Sequence, residues 1–204
     1  ENAKKLIDTG VTGIAYETVT SSDGSMPLLA PMSTIAGQLA FVVGSYHLLK
    51  HNKGKGVMIG HMDDMDPRVV TVIGAGVAGT QSILKAIDNK ALVKVVDSSQ
   101  SKLDDLKSKY GTKNIEYILS TKDSIQVSVN ESDLVIGSVY VVGKEAPKVV
   151  TKEMLSSMNP GTVMVDVSID QGGCFETSKP TTHDSPTFLE NDIVHYCVTN
   201  MPGA

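Results

Sequence analysis

A chain of 204 residues, 41% hydrophobic and 20% charged, is long enough to bury one sizeable core. Its 23 acidic and 18 basic residues give a net charge of −5, and the lysines form no basic stripe with interleaved aromatics, which argues against nucleic acid and membrane surfaces as partners. No apolar run approaches the roughly 18 residues a bilayer span needs. Cys174 and Cys197 are too few and too far apart for a disulfide framework or a zinc site, so no metal is expected and the two read as packing thiols of a reducing cytosol.

The opening ENAKKLIDTG reads as the tail of a helix capped by Gly10, and HYCVTNMPGA ends on an apolar strand and a Pro-Gly turn. With no initiator Met and no polar tail, the chain is expected to be a piece of a longer protein. VTGIAYETV, residues 11–19, is β-branched and aromatic enough to predict a strand, with SSDGS as a turn after it. MSTIAGQLAFVVGSYHLLK, residues 32–50, follows Pro31 and is apolar round much of its circumference, which predicts a helix packed on more than one side. Loop signals then accumulate in HNKGKG and HMDDMDP. His61, Asp63, Asp64 and Asp66 lie there without the spacing or closing Glu of a calcium loop, and read as a solvated loop.

VVTVIG begins a regular alternation. It predicts a buried strand followed by a helix from about Val77, ALVKVVD a strand ending at Asp97, SQSKLDDLKSKYG an exposed helix, and NIEYIL a strand ending before Ser120. TKDSIQVSVNES is a weaker helix, DLVIGSV a buried strand, TKEMLSSM a helix opened by Thr151, and GTVMVDV and DIVHYCV the last strands. Apolar strands alternating with helices predict an α/β fold, a doubly wound parallel sheet covered on both faces.

Within that setting GAGVAG fits G-x-G-x-x-G between a strand and a helix. The glycines serve either a phosphate or only a strand-to-helix turn. A dinucleotide site needs Gly74 for the tight turn, Gly76 for approach of the backbone to a pyrophosphate, and Gly79 for close helix packing, with an acid about 20 residues on for the ribose hydroxyls. Asp97 stands there and its charge favours NAD over NADP, against a slight opposing pull from Lys102. The pair points to a Rossmann-type NAD domain.

The long polar stretch VDVSIDQGGCFETSKPTTHDSPT follows a strand, where ligands of open α/β sheets gather. Asp166 falls at the strand end and Asp170 beyond it, so Asp170 is the better candidate to face a nicotinamide; the alternative is a turn acid bonded to its own backbone toward Gly172. His47, His183 and His195 read as packing or loop residues, and the methionines as gap-fillers.

PLLAPMSTIAGQLA, GAGVAG with Asp97, DLVIGSV, APKVVTKEML, VDVSIDQGGCFETSKPTTHDSPTF and HYCVTNMPGA together closely resemble the bacterial L-alanine dehydrogenases, along essentially the whole chain. IDQGG and NMPGA carry most of the specificity; HMDDMDP departs from the Gly-Gly-Val-Pro-Gly-like stretch usual there. The resemblance implies NAD-dependent deamination of L-alanine to pyruvate and ammonia in the cytoplasm, by a homo-oligomer that is a hexamer in the full-length family. It implies that residues 1–27 are a remnant of a substrate domain and 28–204 the NAD domain, entered by the connecting helix 32–50.

By resemblance, Ser33 and the backbone of Gly74, Ala75, Gly76, Val77, Ala78 and Gly79 hold the pyrophosphate, Asp97 and Lys102 the adenosine side, and Ser120 lies near the adenine. Val139 and Tyr140, with Val167, Ser168, Ile169 and Asp170, and Val198, Thr199, Asn200 and Met201, surround the nicotinamide half; Lys179 is a basic position near the cofactor, and Asp170 is the catalytic carboxylate. The family's substrate-binding Arg and Lys and its catalytic His belong upstream of Glu1, so the 204-residue chain alone is expected to be inactive. Two other readings stay open: the NAD subunit of a proton-translocating transhydrogenase, and a non-catalytic NAD-binding or assembly module.

Overall fold

Runs such as VVTVI and LVKVV have no polar face to turn to water, and in the computed structural model they are buried on both sides. The structure describes residues 2–60, 64–141 and 144–204. Among these, β1 (Val69–Ile73), β2 (Leu92–Asp97), β3 (Ile115–Leu119), β4 (Leu134–Gly137), β5 (Val163–Asp166), β6 (Thr187–Glu190) and β7 (Ile193–Tyr196) make one sheet in the order β3-β2-β1-β4-β5-β7-β6. All neighbours are parallel except β6 and β7. The order reverses between β1 and β4, which opens a crevice at their carboxyl ends.

Alternate strand residues feed two cores. Val70, Val72, Val93, Val95, Leu134 and Ile136 face one side, with α2 (Ala30–His47), α3 (Val77–Asp88) and Leu103 of α4 (Gln100–Tyr110) packed on them. Ile73, Val96, Val135 and Met164 face the other, under α5 (Lys122–Glu131) and the short α6 (Lys152–Leu155). Lys94 is the polar exception in β2: its ammonium reaches Glu131 at the end of α5 and Glu116 on β3 at 3.7 Å, which pairs a charge that burial would otherwise penalise.

α2 lies close on α3 because its contact face is built of small residues. A Cβ on Gly37 would sit 2.0 Å from the Ala78 carbonyl oxygen, and Ser82 Oγ donates to the Gly37 carbonyl at 2.7 Å. The helix begins two residues before the expected 32–50, with Pro31 in its first turn, and stops at His47 before a 3₁₀ turn, Lys50–Asn52, that ends on left-handed Lys53. α1 (Asn2–Asp8) ends as anticipated, with Gly10 in the left-handed conformation.

Two elements differ from expectation. The strand predicted over residues 11–19 does not form: the segment is exposed, with Val11 at 58% and Ile14 at 82%, and holds a 3₁₀ turn at Tyr16–Thr18. β-Branched composition favours a strand only where partners complete the ladder and a core covers the apolar side. β6 was not anticipated and makes the sheet mixed rather than wholly parallel. It pairs with β7 through Asn191 and Asp192, both at positive φ, the backbone of a two-residue type I′ hairpin. His61 and Asp63 of the acidic loop lie outside the described residues.

Candidate active site

The glycine loop closes the crevice between β1 and β4. Gly74 has φ +97°, and a Cβ there would meet the Ser138 carbonyl oxygen at 2.5 Å. A Cβ on Gly79 would come within 1.8 Å of the Gly74 carbonyl oxygen, so helix and loop touch through backbone. Ser138, directly after β4, ties the two strand ends by donating from Oγ to the Gly74 carbonyl at 2.7 Å. Gly76 differs from both: nothing lies within 4 Å of the position its Cβ would take. It caps the start of α3 with no side-chain bond, so the first N–H groups of the helix, around exposed Val77 and half-buried Ala78, are open to an anion.

Asp97, 7% exposed at the end of β2, braces this loop from beneath. Its Oδ2 accepts the Ala75 N–H at 2.7 Å and its Oδ1 the Ser99 N–H at 2.8 Å, while Lys102 Nζ stands 4.0 Å away. Two of the roughly four acceptor positions of a carboxylate stay available for hydroxyl donors. Ser120 follows β3 beside it, its N–H donating to the Asp97 carbonyl at 2.9 Å. Ser33 lies in the first turn of α2, one turn before the Gly37 contact with α3. These groups fit a dinucleotide: an uncapped helix start, an open glycine approach, and a carboxylate on the neighbouring strand.

The other half of the crevice is made by the loops after β4, β5 and β7. Asp166, fully buried at the end of β5, organises the first of the long loops. Its carboxylate accepts the N–H groups of Ser168 at 3.0 Å, Cys174 at 2.9 Å and Phe175 at 3.3 Å, and the Ser178 hydroxyl. Burial pushes its pKa above the ordinary carboxylate value, against the downward pull of those bonds, and also holds the Cys174 and Cys197 thiols up, Cys197 to about 12. Both cysteines are buried and free, as packing thiols are. The chain then makes a 3₁₀ turn, Ile169–Gln171, and reverses through Gly172 at φ +86° and Gly173 at φ +78°.

Asp170 stands exposed on this turn. Rather than bonding its own backbone toward Gly172, its carboxylate accepts the Asn200 N–H at 3.3 Å, so IDQGG and NMPGA meet. Val167 and buried Ser168 and Ile169 lead into the turn, with Ser168 Oγ donating to the Val139 carbonyl at 2.9 Å, and Tyr140 lies exposed next to Val139. On the other strand, Val198 and Met201 are buried and Thr199 N–H bonds to Thr181. Val139, Tyr140, Val167 to Asp170 and Val198 to Met201 are thus linked by hydrogen bonds or adjacency.

Lys179 is placed differently. Its ammonium lies 3.9 Å from Glu190 and 5.4 Å from the Phe188 ring centroid, toward the end of β6 that pairs with the start of β7, and so faces away from the crevice. The histidines supply no group to the crevice among the described residues: His183 is in an exposed turn, and buried His195 shares Nε2 with Thr177 Oγ1 at 2.8 Å and Nδ1 with the Ile193 carbonyl at 3.1 Å. His47 packs against Tyr196 and lines a separate cavity of about 220 Å³ with His51, Lys53 and Phe188. Residue-level reading missed Ser138 and the organising role of Asp166. A small polar residue after a buried strand hints at the first; nothing local marks the second.

A seven-stranded, mostly parallel sheet with a glycine-rich turn at its reversal point defines a Rossmann-type domain. The family described as alanine dehydrogenase/PNT, C-terminal domain, matches residues 40–204, and the chain belongs to that family. An alanine dehydrogenase of Halomonas elongata is 50% identical over 201 residues, spanning 98% of this chain and 54% of that protein. One of Mycobacterium tuberculosis is 47% identical over 200 residues, 98% and 53% respectively. A solved L-alanine dehydrogenase superposes with a TM-score of 0.91 at 40% identity, over 98% of this chain and 55% of that one. A transhydrogenase from Sinorhizobium meliloti, 23% identical with a TM-score of 0.73 over 86% of this chain and 50% of that one, shares the fold. The chain spans about half the length of the curated relatives it matches.

Proposed function

We propose that this chain is the cofactor-holding half of an enzyme that deaminates L-alanine oxidatively to pyruvate and ammonia with NAD, and runs the reverse amination. The observation that carries the reading is the Asp170–Asn200 contact, which joins IDQGG and NMPGA at the carboxyl ends of the strands beside the glycine loop. Identities of 47–50% to proteins named alanine dehydrogenase, against 23% to the transhydrogenase, support it over the transhydrogenase alternative.

In this reading the N–H groups at the start of α3, with Ser33, take the pyrophosphate, Asp97 the adenosine ribose beside Lys102, and Ser120 the adenine side. Val139, Tyr140, Val167, Ser168, Ile169, Asp170, Val198, Thr199, Asn200 and Met201 shape the nicotinamide side. NAD, when bound, supplies the carbon that accepts a hydride from the substrate. Asp170, exposed on its turn, orients the substrate ammonium or the water that adds to the deaminated carbon, with the Asn200 N–H fixing its direction. Proton transfer at neutral pH calls for a group such as an imidazole, and none among the described residues stands at the crevice.

Residues 1–27 go with the substrate domain and 28–204 form the NAD domain; the exposure of Leu6, Ile7 and Ile14 at 60%, 77% and 82% supports a partner surface over that segment. A cytoplasmic homo-oligomer completes the reading, supported by exposed Ile35, Val42 and Tyr46 along α2 and by two free cysteines. No helix among the described residues is long and apolar enough to cross a membrane. Titration of the chain with NADH in a calorimeter tests the cofactor assignment: saturable binding is expected, and its absence would overturn it. Alanine-dependent NADH formation by the full-length protein tests the reaction.

A further inference from the structure

We propose that Lys148 and Asp166 are positioning residues for Asp170, gripping the backbone on both sides of it by opposite polarities; this rests on the reading of Asp170 as the site carboxylate. Asp166 gathers N–H groups at Ser168, Cys174 and Phe175. Lys148, from the loop between β4 and α6, gathers carbonyls: its Nζ donates to Gly172 O and, at 2.7 Å, to Gly173 O. The same loop adds two backbone bonds, Ala146 N–H to the Gln171 carbonyl at 2.9 Å and Val149 N–H to the Cys174 carbonyl at 2.8 Å.

The segment needs such a grip because Gly172 and Gly173 have no side chains to pack and sit at φ +86° and +78°, from which a glycine moves readily to other conformations. Gly173 also passes so close to Asp166 that a Cβ would lie 2.7 Å from Oδ2. Charge-assisted bonds are about twice as strong as neutral ones, so an ammonium on two successive glycine carbonyls selects one backbone course where packing does not. Between these anchors stands the turn Ile169–Gln171, pinned by buried Ile169, with the Asp170 carboxylate turned to Asn200. Lys148 is exposed, so removing its charge opens no hole in the core, whereas Asp166 is buried and its loss strands several N–H groups.

The test uses the full-length protein that carries this chain, with Lys148→Met, Lys148→Arg and Asp166→Asn. Lys148→Met is expected to raise amide hydrogen exchange in the peptide around Asn200 roughly tenfold. It should lower kcat for alanine about tenfold while KM for NAD and the calorimetric Kd for NADH stay within about twofold, as a small misplacement of one reacting group does. Lys148→Arg, which keeps a charged donor for both carbonyls, should restore exchange and kcat to within about threefold. Asp166→Asn should follow Lys148→Met in direction if it folds. The proposal is overturned if Lys148→Met leaves Asn200 exchange or kcat within about twofold of the parent, if NADH affinity falls in step with kcat, or if Lys148→Arg restores neither. If the parent protein does not turn over alanine at all, the functional reading fails, and exchange at Asn200 still decides whether the clamp exists.

Discussion

The Asp170 carboxylate accepts the backbone N–H of Asn200 at 3.3 Å, joining the loop after β5 to the end of the chain at left-handed Asn200. Asn tolerates that conformation better than most residues, so the donating end of the contact is set by residue type. Asp170→Asn keeps an acceptor for this bond and removes the charge. In the full-length protein it is expected to cut kcat for alanine by about 100-fold or more while changing NADH affinity less than about threefold. Steady-state kinetics with calorimetry check this; an unaltered kcat would remove Asp170 from the chemistry.

Gly76 and Gly79 separate binding from folding. A methyl on Gly76 meets open space at φ −75°, so Gly76→Ala should leave stability within about 0.5 kcal/mol. It should abolish measurable NADH binding by occupying the approach to the helix start. Gly79→Ala drives a Cβ to 1.8 Å from a backbone oxygen that has no room to yield, and should cost at least the ~1–3 kcal/mol of an overpacked core. Thermal melts paired with NADH titration distinguish the two.

Asp97→Ala leaves the Ala75 and Ser99 N–H groups without their acceptor, at about 1–3 kcal/mol for a buried donor left unpaired. Loss of NADH affinity of tenfold or more is expected alongside. Lys102→Ala removes a side chain that is 55% exposed, with its ammonium 4.0 Å from Asp97, and should cost no more than about 1 kcal/mol. Denaturant unfolding and calorimetry on the three proteins measure both effects.

Burial holds the pKa values of His195 and His47 below the ordinary 6.5. The unfolded chain therefore binds these protons first on acidification, so their contribution to stability is complete above pH 6.5 and is lost as pH falls toward the folded values. Asp166 has the opposite sign: its pKa is raised above 3.8, so its contribution is complete below 3.8 and is lost as pH rises through the folded value. Between pH 7 and pH 5 the two histidines pull the melting temperature down on acidification, and His195→Gln should remove its share of that slope. A slope unchanged by the substitution would point to other groups.

Much of the architecture was legible residue by residue. Runs such as VVTVI, LVKVV and LVIG are buried on both faces and so show no alternation, which marks parallel strands between helices. The segment 11–19 misled because β-propensity describes a fit to a sheet surface that this segment does not reach. β6 went unread because THDSPTFLE is short and only half-buried, and its hairpin uses Asn191-Asp192 in place of the stronger Asn-Gly signal.

The strand-helix alternation, the glycine turn and the acid one strand later could be read from the residues, because each follows from local periodicity or from spacing within one βαβ unit. Only the packed fold brings Asp170 to Asn200, Lys148 and Asp166 to the loop they both bond, and Lys179 to Glu190. Those contacts join residues 8 to 30 positions apart in loops of no fixed period, or charged side chains long enough to choose among several partners. Their pairing follows from which strands lie side by side, and no stretch of residues states that order.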